Sequence, residues 1–158
     1  MNPKASFFKE YKTIQRKFQL PHINDLQKKF KIEFDSEIPV IENIREELSD
    51  KIFDFSDRVL EPLLSEPDTL HGFIEHHMIS DEDRRKLFEI YKKIQSLKWE
   101  NHILSINSSE ESSGNWIKKA WDLWNSDIEQ AVMDICRRFS EEWRKIEPLK
   151  NNEEVIHG

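Results

Sequence analysis

The sequence predicts an all-α fold: an antiparallel three-helix bundle of long helices carrying an N-terminal helical arm. Three observations lead there. Apolar residues recur at alternating spacings of three and four over three long stretches, the period of one buried helix face. Only three glycines occur among 158 residues, Gly72, Gly114 and Gly158. That scarcity excludes hairpin-rich β folds, dinucleotide fingerprints and phosphate-cradling loops, which need glycine at positive φ or where backbone meets a ligand. Charged residues make up 35 % of the chain, against about 25 % on average, enough to clothe the outer faces of long helices.

The elements follow in order. Phe7, Tyr11, Ile14 and Phe18 form one helical stripe that Pro21 closes. Asn24 is a candidate cap for a shorter helix with Leu26 and Phe30. Phe30, Ile32 and Phe34 then alternate with Lys31 and Glu33, a strand-like period. With no second strand to pair with, the segment reads as an extended linker.

The first long helix is expected after the cap candidates Asp35 and Ser36, with Pro39 in its opening turn. Ile41, Ile44, Leu48, Ile52, Phe55, Val59 and Leu63 are its stripe, and Pro62 and Pro67 end it. A short helical piece covers 69–78. The second long helix has the strongest start signal, Ser80 before Asp81, Glu82 and Asp83, with a buried face running from Leu87 to Leu104. Residues 107–114, rich in serine and glutamate, read as a mobile loop. The third helix is expected from about Asn115 to Ile146, with Ile117, Trp121, Trp124, Ile128, Val132, Ile135, Phe139 and Trp143 inward. This gives an arm at 1–34, a bundle at 35–148 and a flexible tail at 149–158.

No apolar run approaches the roughly 20 residues of a membrane helix, and the opening residues lack the apolar core of a secretory signal. Cys136 is alone, so no internal disulfide forms. It stands beside Ile135, an inward or boundary position at which a thiol is inert. These features give the expectation of a cytoplasmic protein that does not engage a membrane.

The net charge of -7 is unevenly spread. Residues 1–34 hold eight basic and three acidic side chains, leaving 16 basic and 28 acidic for the rest: +5 against -12. Lys9, Lys12, Arg16, Lys17, Lys28, Lys29 and Lys31, interleaved with aromatics, could track phosphate, making an accessory nucleic-acid-binding protein one candidate reading. The competing reading is that the arm docks on its own acidic body.

Other constellations are weaker. His71, Glu75 and His77 lie close together and offer metal-ligand chemistry, but no recognised spacing is met. A metal-dependent hydrolase is accordingly a distant third reading. Asp50, Asp54, Asp57 and Glu61, with Glu47 a turn earlier, share a helix face opposite the apolar stripe, where solvated charges belong. No serine lies on a glycine-flanked elbow, so nucleophilic catalysis finds no support and no cofactor is expected. Trp99 and Trp116 fall off the core stripes and are candidates for an interaction face. The preferred expectation is therefore a non-enzymatic helical interaction module, a subunit or adaptor. Its partner is another protein, a second copy included.

Overall fold

The computed structural model describes residues 2–147, and every regular element among them is helical. The tail expected at 149–158 lies outside the described residues. The elements are α1 (Pro3–Phe18), α2 (Ile23–Phe30), α3 (Val40–Phe55), a π-helical turn (Ser56–Leu60) and α4 (Glu61–Leu64). They continue with α5 (Leu70–His77), α6 (Asp81–Ile106), α7 (Glu110–Leu123), a second π-helical turn (Trp124–Ile128) and α8 (Glu129–Lys145).

Capping side chains set most of the starts. Asn2 accepts from the Lys4 amide before α1, and Thr69 accepts from the Gly72 amide before α5. Ser80 caps α6, as the sequence signal predicts, and Asp83 returns a bond to the Ser80 amide to complete a capping box. At α2 the cap is His22, whose Nδ1 accepts from the Asn24 amide; Asn24 itself lies inside the helix. α1 and α2 both end on left-handed residues, Gln19 and Lys31, which close the last turn.

The extended linker carries its alternation without a second strand. Asn43, buried on α3, donates its side-chain amide to the Glu33 carbonyl and accepts from the Asp35 amide, both at 2.9 Å. One side chain supplies the donor and acceptor that a neighbouring strand would have provided. Ile32 is thereby buried and Phe34 half-buried, while Lys31 and Glu33 face outward. Asp35 does not cap α3: its carboxylate accepts from the Glu37 amide in the preceding turn, and Pro39 occupies the N-cap position.

Two expectations about helix ends are corrected. The Ser/Glu-rich stretch is not a loop through Gly114, because α7 begins at Glu110. Ser109 accepts from the Ser112 amide, and Ser112 returns the bond to the Ser109 amide. Serine, read as a loop former, is here a cap. Ser113 and Gly114 are buried, and a Cβ on Gly114 would stand 3.2 Å from the Phe18 ring, so glycine lets α1 approach α7 closely. Pro62 does not end the first long rod either. The chain widens into the π turn ahead of it and stays helical to Leu64. Such a turn relieves the usual ladder where a residue cannot donate.

One apolar cluster unites the elements, and the arm belongs to it: Phe7, Tyr11, Leu20, Leu26 and Phe30 are buried with Ile44, Leu48, Ile52, Leu97 and Ile117. α3, α6 and α7 pack on one another, α1 lies on α3 and α7, and α2 lies on α3. Where α3, α6 and α7 meet, a polar network is enclosed. Arg45, 4 % exposed, donates to Glu42 through Nη2 at 2.6 Å and Nε at 3.1 Å, and through Nη1 to Asn101 on α6. The other oxygen of Glu42 accepts from Ser113 on α7 at 2.6 Å. Tyr11 is fully buried and donates to the Pro21 carbonyl, and burial pushes its phenol well above the usual tyrosine range.

Candidate functional site

α6 presents two apolar faces. Ile94 and Leu97 point into the core, with Leu104 packed against it. On the opposite side Trp99, Ile103 and Ile106 are 67 %, 64 % and 89 % exposed. Their spacings of four and three keep them on one stripe, and the Trp99 ring lies 5.2 Å from that of His102. Phe88, also exposed, precedes Trp99 by about three turns and shares that side. A surface helix ordinarily turns its apolar stripe inward and polar groups outward. α6 keeps a second stripe in water.

Of the two tryptophans that fall off the core stripes, only Trp99 is exposed. Trp116 is 2 % exposed and donates Nε1 to the Leu97 carbonyl at 3.0 Å. The reason is that α7 is enclosed by α1, α3 and α6, so its off-stripe positions are buried too. Trp143 departs the other way. Expected in the core, it is 37 % exposed at the edge and donates to Glu75 on α5. Cys136 is likewise exposed, because Ile135 takes the inward position on α8.

The basic arm divides into two sets. Lys17 pairs with Glu110 at 3.2 Å, and Lys29 pairs with Glu129 at 2.6 Å while lying over the Trp121 ring. These hold the arm to α7 and α8. Lys9, Lys12, Arg16, Lys28 and Lys31 are exposed, and none forms an ion pair among the described residues. Lys9, Lys12 and Arg16 share one side of α1 by their spacing.

The histidine segment stays dispersed. His71 is exposed, Glu75 accepts from Trp143, and His77 Nδ1 lies 2.8 Å from the Phe73 carbonyl oxygen. Among the described residues no three His, Cys, Asp or Glu side chains converge to hold a metal. In the acidic stripe Asp50, Asp54, Asp57 and Glu61 are exposed, with Asp54 paired to Arg58 and Glu47 to Lys51.

A cavity of about 480 Å³ lies between α4 and the first turns of α6. Leu64, Phe88 and Tyr91 give it apolar walls, and Arg84, Arg85, Glu61 and Asp81 supply charge. The first π turn delivers Glu61 to this place, where it accepts from the Tyr91 hydroxyl at 2.7 Å. That bond, made to the neutral phenol, raises the Tyr91 pKa. Nearby, the Ser80 hydroxyl, with Arg138, holds Asp83 below the usual carboxylate range. Lys93 does the same for Asp127 by a 2.7 Å bond across to the second π turn. No local pattern marks this cavity, since α4 and α6 are brought together only by the fold. The second stripe did leave a signal: Phe88, Trp99 and Ile106 recur at helical multiples.

No family model matches the chain, and no curated protein or solved structure matches it either. No helix among the described residues is long and apolar enough to cross a membrane.

Proposed function

We propose that this protein is a non-enzymatic helical interaction module, a subunit or adaptor, that engages a protein partner through the outer face of α6. The observation that carries the reading is the exposed stripe of Trp99, Ile103 and Ile106. Most of the surface of these three side chains remains in water, on the order of 400 Å². A stripe of that size is comparable to the largest apolar patch of a typical monomer and supplies about half of one partner's share of a standard interface. Tryptophan flanked by aliphatic groups is also the composition of an interface anchor. We read α3, α6 and α7 as an antiparallel bundle that holds the stripe rigid, so little conformational entropy is lost on docking. A second copy of the chain is one partner this face would accept.

The test compares the native chain with a Trp99→Ser/Ile103→Ser variant. Both positions are exposed, so the urea midpoint should be unchanged. Sedimentation at increasing concentration and quantitative capture from the native cell should then show an association present for the native chain and lost in the variant. Equal sedimentation and an identical set of captured proteins would overturn the reading.

A nucleic-acid role for the arm keeps one supporting observation, the exposed cations Lys9, Lys12 and Arg16. Binding of this kind would weaken steeply with salt and fall when these three are replaced by glutamine. Absence of binding at low salt removes it.

A further inference from the structure

We propose that the cavity between α4 and α6 binds a small organic anion with a planar aromatic body, an aryl carboxylate being the simplest case. Its volume of about 480 Å³ lies within the range of small-molecule sites. The walls suit a flat ring: Phe88 and Tyr91 stand with centroids 6.3 Å apart and planes only 25° from parallel, and Leu64 adds an aliphatic surface.

The hydrogen-bond inventory selects the charge. Both carboxylates that line the cavity are engaged, Glu61 by Tyr91 and Asp81 by Arg84 Nη1. The donor capacity not used within the chain lies on Arg85. Arg84 spends its Nη atoms on Asp81 and on the His76 carbonyl, which leaves Arg85 as the available donor. Arg85 bonds the Asp81 carbonyl through Nε and forms no ion pair among the described residues, so its terminal fork is free. A guanidinium fork matches a planar carboxylate. A ligand that brings an anionic acceptor to the Arg85 fork and an aromatic ring to Phe88 and Tyr91 answers both features.

The probe is 2-naphthoate, with neutral 2-naphthalenemethanol as its uncharged counterpart. Each is titrated into the full chain while backbone amide shifts are followed by NMR. We expect saturable naphthoate binding with shifts centred on residues 61–65 and 81–91. Arg85→Gln should weaken it about tenfold, the loss expected for one charge-assisted bond. It should leave the alcohol's weaker binding unchanged, and Phe88→Ala should weaken both. Arg85 and Phe88 are exposed, so both variants keep the fold. Absence of saturation, equal naphthoate affinity in Arg85→Gln, or shifts centred on residues 99–106 would each overturn the proposal.

Discussion

Replacing Arg45 with alanine removes the centre of the network that joins α3, α6 and α7. Three hydrogen bonds are lost, two to Glu42 and one to Asn101, and Glu42 is left charged beside the core. Breaking a buried pair by removing one partner costs about 3–5 kcal/mol. The Glu42 side chain is 19 % exposed and keeps its bond from Ser113, which places the loss at the lower end, about 3 kcal/mol. For a chain of this length that corresponds to a fall in Tm of about 6–12 °C. Urea unfolding followed by circular dichroism measures it, with an unchanged m-value marking a true stability change. A Glu42→Gln/Arg45→Met double variant, which removes both charges and keeps most of the volume, should recover to within about 1 kcal/mol of the native chain. If Arg45→Ala unfolds within about 0.5 kcal/mol of the native chain, or the double variant is no better than the single, the network does not hold the three helices as described.

Ser109→Ala should cost about 1 kcal/mol and speed amide exchange over residues 110–114; an unaffected exchange pattern would return that stretch to a loop. Trp116→Ala should cost about 3–5 kcal/mol through cavity and lost hydrogen bond, whereas Trp99→Ala should change monomer stability by less than about 0.5 kcal/mol. Equal losses at the two tryptophans would contradict their assigned places. Asp83 and Asp127 have folded pKa values below their unfolded ones. Their contribution is therefore present above the unfolded carboxylate pKa of about 4 and is lost as pH falls through the lower folded values. An Asp83→Asn/Asp127→Asn variant should start less stable at neutral pH and lose less on acidification. Parallel stability–pH curves for the two proteins would refute this.

The all-helical class and most element positions were legible because they depend on local periodicity and on caps that act within four residues. The Ser80 cap, the Leu70–His77 helix and the long stripe from Ile41 to Leu63 are such cases. Sequence pattern and fold diverge where one residue type serves two local states. Ser109 and Ser112 suit a loop and a capping box equally, and the helix is accompanied by packing of α7 on α1, α3 and α6. Pro62 suits a helix end and the first turn after a π widening.

The candidate sites were less legible. Both Trp99 and Trp116 lie off their core stripes, and nothing local separates them. The sequence by itself determined a glycine-poor, all-α chain whose basic arm carries enough apolar surface to dock on an acidic body. Tertiary structure decided that α7 is enclosed on several sides while α6 is enclosed on one. That assignment buries Trp116, exposes Trp99, and brings Glu61 across to Tyr91 beside Arg84 and Arg85. Periodicity reports which residues share a helix face, but whether a second face meets protein or water depends on contacts between residues far apart in the chain.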